Sequence, residues 1–477
     1  MSAAPAVSVP VCIENHTFDE IKVGDSARLT RTLTQRDIEL FAAMSGDMNP
    51  AEMDPDYARS AMYHHVVAHG MWSGSLISTV LGTQLPGAGT IYLSQDLHFH
   101  APVSVGDTID VIVTVTGKDP LRHRVAFHCC VRNQYGVDVI LGTAEVQAPT
   151  EKVRCPRMDV PDVQVADHRR FRQLLALVKG RPALPTAIAH PCDESAIAAV
   201  VEAADAGLIE PILVGPAAKI KAAAKQAGVD IAPYRLVDVP HSHAAAAQAV
   251  ALVKSGEAKL LMKGSLHTDE LMHAVVADTG LRTARRLSHV YLMDVPSYDR
   301  LLLVTDAAIN IAPALAEKRD IIQNAIDLAH TLGIAVPKVA VLSAVETVNP
   351  AIPSTVDAAA LCKMAERGQI AGGIVDGPLA FDNAVSTQAA REKGINSKVA
   401  GVADILVVPD LESGNMLAKQ LTFLAGADAA GVVMGAQVPI ILTSRADTSR
   451  TRIASCAVAA LLAQAAKKSS AMAVVEG

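Results

Sequence analysis

Val438-Pro439-Ile440-Ile441-Leu442-Thr443-Ser444-Arg445-Ala446-Asp447-Thr448-Ser449-Arg450 is the stretch from which the fold can be read. The apolar run at its start is too brief for a helix and reads as a buried strand. The polar segment that follows opens on a helix starting near Thr448 or Ser449, where a hydroxyl can cap the first free amides. The order is strand, polar turn, helix, and it recurs backwards along the chain. Apolar strands are expected at 186–190, 211–214, 235–239, 259–262, 289–294, 301–304, 338–342, 373–375, 405–408, 431–434 and 439–442. Ala-rich helices separate them at 193–206, 243–254, 317–332, 355–367 and 412–424. Such alternation implies a mostly parallel sheet covered on both faces.

Upstream of about residue 170 the rhythm changes. Residues 149–168 carry Pro149, Pro156 and Pro161 among charges, show no periodicity and read as a linker. Before them, 34–44 has helical spacing (Ile38, Leu40, Phe41, Met44) with Thr34 as N-cap. A second helical run, 67–81, is rich in Gly and Ser, which suits close packing inside a wrapped sheet. Alternating segments at 92–100, 108–117, 124–133 and 139–147 are parted by Pro102, Gly106, Pro120 and Gly136. A buried helix followed by antiparallel strands is the order of a hot-dog domain. The expected fold class is therefore an α+β hot-dog domain (1–148), the linker, and an α/β layered domain with a mostly parallel sheet (169–477).

Composition narrows the function. The 477 residues carry a net charge of -7, which argues against nucleic acid or an anionic membrane as partner. Seven Cys with no C-x-x-C pair fit neither a zinc site nor a disulfide framework, so a reducing, cytoplasmic location is expected. The N-terminus lacks a basic signal region, and no apolar run is long enough to span a bilayer.

Two polar constellations remain. In the front half, Ser45-Gly46-Asp47-Met48-Asn49-Pro50 forces a turn that can aim Asp47 into a cleft. Glu52 could add a second carboxylate, and the Gly70 amide, opening a helix, an oxyanion donor. Hydrating an enoyl thioester needs these groups: a base for the water, an acid for the α-carbon and a donor to the carbonyl. A plain Asx turn before Pro50 is the simpler alternative. His64, His65 and His69 lack an acidic third ligand at helical spacing, so no metal site is expected and hydrogen-bonding roles are favoured.

Ser45–Pro50 together with Ala68-His69-Gly70-Met71 resembles the motif of MaoC-type (R)-specific enoyl-CoA hydratases, over residues 15–148. The resemblance implies that Asp47 works on the water and that the Gly70 amide polarises the thioester. The partner histidine of that family falls at Glu52, a departure that two carboxylates sharing a proton could offset.

In the rear half, Thr443-Ser444-Arg445 sits where a strand end meets a helix N-terminus, the usual place for an anion. Arg445 offers a planar fork, Ser444 a hydroxyl and Asp447 the nearest carboxylate. A capped polar loop is the simpler alternative. Lys263-Gly264-Ser265-Leu266-His267-Thr268 and Asp376-Gly377-Pro378-Leu379-Ala380-Phe381-Asp382 also follow strands, and all three loops are expected to converge on one crevice.

These segments, with Ala403–Asn415, resemble the phosphate acetyl/butyryltransferase family over most of 170–470. The resemblance implies that Ser444 and Arg445 hold the phosphoryl group and the leaving thiolate. It also implies that Lys263, Gly264, Thr268, Asp376, Asp382 and Asn415 line the substrate site. Acetyltransferases place a base where this chain has Thr451, leaving Asp447 as its substitute, and an arginine where this chain has His273. Both departures lean towards the butyryl-type branch. The expected partners are acyl-CoA with orthophosphate or acyl phosphate, in a homo-oligomer, with no metal and no cofactor beyond coenzyme A as substrate. The front half is expected to hydrate enoyl-CoA or to serve as a non-catalytic acyl-CoA-binding or oligomerisation module.

Overall fold

The computed structural model describes residues 12–60, 62, 64–156, 163, 169–277, 281–443 and 447–475. The chain folds as two compact units that divide between Val165 and Ala166.

The front unit is built from β1 (Cys12–Glu14), β2 (Ser26–Thr32), β3 (Ile91–Phe99), β4 (Thr108–Asp119), β5 (Arg124–Asn133), β6 (Asp138–Gln147) and β7 (Arg154–Pro156). Its helices are α1 (Gln35–Ser45), α2 (Pro50–Met53), α3 (Pro55–Ser60) and α4 (Gly70–Thr83). Five strands form an antiparallel sheet in the order β2-β4-β5-β6-β3. Period-two patterning gives it one dry face: Val111, Val113, Val115, Val125, Phe127, Cys129 and Val131 are each at most 1% exposed. Against that face α4 lays Trp72, Ile77, Val80 and Leu81. The helix on a wrapped antiparallel sheet is the hot-dog arrangement.

Local chemistry sets the helix starts. Thr34 and Asp37 cap α1 reciprocally, at 3.2 Å from the Asp37 amide to the threonine hydroxyl and 2.8 Å from the Thr34 amide to the carboxylate. The second helix begins at Gly70 rather than Val67. Val67 is drawn into a bridge with Ser104, and the Ala68 amide donates to the Val103 carbonyl at 2.8 Å. The linker also starts later than expected, because β7 pairs with β1. A three-residue strand is too short to leave a periodic signal.

The rear unit contains β8 (Leu184–Ala189), β9 (Ile209–Gly215), β10 (Arg235–Asp238), β11 (Leu260–Lys263), β12 (Ser288–Asp294) and β13 (Leu302–Thr305). It continues with β14 (Lys338–Leu342), β15 (Ile374–Leu379), β16 (Ile405–Val407), β17 (Asp428–Met434) and β18 (Ile440–Ile441). They make a single sheet in the order β10-β9-β8-β11-β18-β17-β12-β13-β16-β14-β15. The sheet is mostly parallel, in two blocks. From β10 to β18 all neighbours are parallel, and from β13 to β15 they are parallel again. The three antiparallel steps β18·β17, β17·β12 and β12·β13 lie between them, so the blocks run in opposite directions.

The helix Ser449–Val475 closes the core of the first block, with Ala454, Cys456, Ala457, Val458 and Ala459 at most 1% exposed. Small side chains let it approach the sheet closely, which suits a chain with only 3% aromatics. Among the described residues no helix is long and apolar enough to cross a membrane.

Candidate functional site

In the front unit, α1 ends at Gly46, whose φ of +74° turns the chain sharply. Asp47 and Asn49 then make the Asx-type turn that the sequence offers. The Asn49 amide donates to Asp47 Oδ1 at 3.3 Å, and Asn49 caps α2 by accepting from the Ala51 amide at 3.2 Å. The turn does more than cap. It leaves Asp47 exposed and points Glu52, on α2, at His69, the N-cap residue of α4.

His69 Nε2 lies 2.9 Å from Glu52 Oε2 and 3.0 Å from the Asp47 backbone carbonyl. A carbonyl only accepts, so Nε2 is the nitrogen that carries hydrogen. Its bond goes to Asp47, and Glu52 Oε2 sits beside it as a charge contact without an aligned donor. One donor atom each from Asp47, Glu52 and His69 falls within 4.8 Å of the others, a set that a divalent cation could also use. Burial pushes the Glu52 carboxyl up; His69 pulls it down, Asp47 pushes it up and Asn49 lowers it by hydrogen bonding. Gly70 is exposed at the first position of α4, where the amide has no partner within the helix. A Cβ there would meet the Phe99 ring at 3.3 Å, so glycine keeps that amide approachable.

The structure thus brings Asp47, Glu52 and Gly70 together and adds His69, whose part in the site the sequence did not disclose. The only signal was its place next to Gly70, because its acidic neighbours come from another loop.

In the rear unit, Ser444 and Arg445 lie outside the described residues. Thr443 is buried, and the helix after them starts at Ser449, capped by Thr448, whose hydroxyl accepts from the Thr451 amide at 3.2 Å. Thr443 lines a small cleft with Asp193, Ser195, Lys263, Gly264 and Arg452. Lys263 and Arg452 are each only 6% exposed. Lys263 Nζ donates to the carbonyls of Gly264 at 3.3 Å and Leu266 at 3.2 Å. Arg452 donates to the Ser195 carbonyl and, at 3.1 Å, to its hydroxyl.

Gly264 is required by contact. A Cβ there would sit 2.5 Å from the Ala189 carbonyl oxygen, while the Gly264 amide donates to that oxygen at 2.9 Å. Asp447 is half-buried, and its charge reinforces the effect of burial that pushes the Tyr291 hydroxyl up to about 12. Thr268 opens the helix Thr268–Ala277 farther along the Lys263 loop.

Asp376, Asp382 and Asn415 do not join this cleft. Asp376 lies within β15, and Asp382 and Asn415 sit in the helices that follow β15 and β16; both strands belong to the block running the other way, so their C-terminal ends lie at the opposite end of the sheet. The expected convergence of three loops is corrected to two. The displaced side chains have structural partners. Ser397 donates to Asp376, Lys393 stands 3.0 Å from Asp382 and holds it below the usual carboxylate range, and Asn415 donates to the Ala307 carbonyl at 3.2 Å. Arg450, at the start of the last helix, pairs with Asp428 at 3.4 Å.

The phosphate acetyl/butaryl transferase family model matches residues 241–460, and the MaoC like domain model matches residues 20–131. The chain is 63% identical over 299 residues to the phosphate acetyltransferase of Rhizobium meliloti, covering 62% of this chain and 95% of that one. A branched-chain phosphotransacylase of known structure from Enterococcus faecalis is 31% identical, with a TM-score of 0.52 over 59% of this chain and 99% of that one. An R-hydratase from Pseudomonas aeruginosa is 41% identical over 32% of this chain and 99% of its own, with a TM-score of 0.32.

Proposed function

The chain belongs to the phosphate acetyl/butyryltransferase family, and we propose that its rear unit moves an acyl group reversibly between coenzyme A and orthophosphate. The observation that carries this reading is the cleft in which buried Lys263 and Arg452 flank the chain next to Thr443. Cations held in a dry wall attract a phosphate far more strongly than they would in water.

In the reaction, a phosphate oxygen attacks the thioester carbonyl carbon and the carbon–sulfur bond breaks. The electron pair leaves on the sulfur of coenzyme A. Arg445 and Ser444 neutralise the transferring oxygens, and in the reverse direction Asp447 takes the thiol proton. No covalent enzyme intermediate is needed, only orientation and charge neutralisation. The nearby Cys192 thiol is pushed up to about 11 by burial and stays protonated at neutral pH, which makes it a poor nucleophile.

The test is to mix the chain with coenzyme A and a panel of acetyl, propionyl and butyryl phosphates and follow thioester formation. Ser444→Ala and Arg445→Ala should each slow turnover by about 100- to 1,000-fold. Variants as fast as the wild type would remove the assignment, and the panel ranks the acyl chains.

For the front unit we propose hydration of an enoyl thioester, supported by the approach of Asp47, Glu52 and His69 beside the Gly70 amide. The competing reading is a non-catalytic acyl-CoA-binding or oligomerisation module, for which the exposed Ile91 and Phe99 of edge strand β3 speak. Crotonyl-CoA hydration decides between them. If Asp47→Ala and Glu52→Ala leave the rate where the wild type has it, the module reading stands. A chelator control separates proton chemistry from an adventitious cation on the same donors.

A further inference from the structure

We propose that Ser265 is the positioning residue of the rear cleft: its hydroxyl pins the loop after β8 to the loop after β11 and so fixes the spacing of Lys263 and Arg452. The inference rests on the acyltransfer reading and deepens it, because it names what keeps two like charges in place before orthophosphate arrives.

Two buried cations lining one small cleft repel each other, and their dry surroundings strengthen the repulsion. Hydrogen bonds to the backbone must therefore hold them. Arg452 is fixed onto Ser195, in the first turn of the helix Glu194–Asp205, with 3.1 Å between guanidinium and hydroxyl. Lys263 ends β11, and its Nζ donates to the Gly264 and Leu266 carbonyls of the loop that follows. The ladder between β8 and β11 stops at Ala189 and Lys263. Beyond it Ser265 takes over the pairing. Its Oγ donates to the His190 carbonyl at 2.8 Å and accepts from the Cys192 amide at 2.7 Å. Asp193, the N-cap of the helix that carries Ser195, follows Cys192 directly, so the Arg452 anchor and the Lys263 loop are joined through this one hydroxyl.

The loop that Ser265 grips has a shape imposed on it. His190 has a φ of +57°, a left-handed conformation unfavourable for a residue with a β-carbon. Such a residue persists where its surroundings over-determine it. The His190 carbonyl accepts from the Ser265 hydroxyl, from the Ser265 amide at 2.9 Å and from the Cys192 amide at 2.9 Å, while the His190 amide donates to the Val214 carbonyl at 2.7 Å. Without the Ser265 hydroxyl the carbonyl loses one donor and the Cys192 amide one acceptor. The turn can then relax, the start of the helix Glu194–Asp205 moves with it, and Arg452 follows Ser195 away from Lys263.

The experiment uses the full chain and measures release of coenzyme A from acetyl-CoA and butyryl-CoA while orthophosphate is varied. Ser265→Ala should raise the KM for orthophosphate about tenfold, with kcat kept within about threefold and the KM for acyl-CoA within about twofold. Ser265→Thr keeps a hydroxyl and should stay within about threefold of the wild type. Ser265→Cys, with a weaker donor, should fall between the two, and it carries the test if the alanine variant folds poorly. Hydrogen exchange over residues 186–196, read by mass spectrometry, should quicken in Ser265→Ala as the Cys192 amide loses an acceptor. The proposal is overturned if Ser265→Ala lowers the melting temperature or the active fraction but leaves the orthophosphate KM unmoved, or raises both KM values equally. A wild-type chain that turns over no acyl-CoA overturns the acyltransfer reading alone. Calorimetric titration with inorganic phosphate then decides for Ser265: binding about tenfold weaker in Ser265→Ala supports the proposal, and equal affinities, or none in either chain, overturn it.

Discussion

The front and rear sites are built on opposite plans. The front one takes its polar groups from positions 47 to 70 and gathers carboxylates around an imidazole. The rear one takes Asp193, Ser195, Lys263, Thr443 and Arg452 from distant parts of the chain and sets two buried cations beside the strand end at Thr443. The contrast teaches that a turn motif can gather titratable groups almost locally, whereas a cluster of buried cations of this kind needs a sheet to assemble it.

The largest effect that would test this contrast comes from Gly264→Ala. The new methyl would stand 2.5 Å from the Ala189 carbonyl oxygen, so β11 and the loop after β8 must part. Phosphate acyltransfer should fall more than about 100-fold while crotonyl-CoA hydration is kept. Loss of both activities together would mean that the two sites are not built independently.

A second test concerns what titration does in each unit. In the front unit the half-buried Glu52 belongs to the proposed hydration site; in the rear unit the fully buried His289 bears on stability. His289 lies on β12 beside Tyr291, with ring centroids 4.4 Å apart, and neither ring nitrogen has an aligned hydrogen-bond partner. Burial lowers it from 6.5 to about 4, so it stays neutral in the fold while the unfolded chain takes up a proton. Its contribution is complete above about pH 6.5 and is lost as pH falls through 4, by roughly 3 kcal/mol in all. Urea unfolding across that window should show the loss, and His289→Leu should flatten the slope. An unchanged slope in the variant would move the acid sensitivity elsewhere.

The smallest expected effect separates two neighbouring arginines. Arg450 is exposed and pairs with Asp428 at 3.4 Å, so Arg450→Ala should cost about 0.5 kcal/mol and leave turnover within twofold. Arg452→Ala removes a buried donor to Ser195 and should damage acyltransfer severely. Equal effects would show that burial within the cleft is the wrong criterion.

How much of this was legible beforehand follows from range. The capped start of α1 could be read because Thr34 and Asp37 are three residues apart. Each expected strand of the rear sheet exists, since short apolar runs between helices report burial on both faces. Strand direction could not be read. Nothing in the Asp376 segment records that three antiparallel pairings intervene between its block and that of Lys263. For the same reason nothing near Arg452 in the chain announced that its side chain is held by Ser195. His69 was hidden differently. It was weighed against His65 at helical spacing, but Val67 is held in a β-bridge with Ser104, so no helix joins the two.

The late position of β17, β18 and the helix Ser449–Val475 has a consequence for biogenesis. During translation most of the first block emerges early, yet β11 lacks its neighbour on one side until β18 has been synthesised. Nascent chains stalled before residue 440 would expose the apolar edge of β11, so the sheet of the rear unit closes only once β18 has been made.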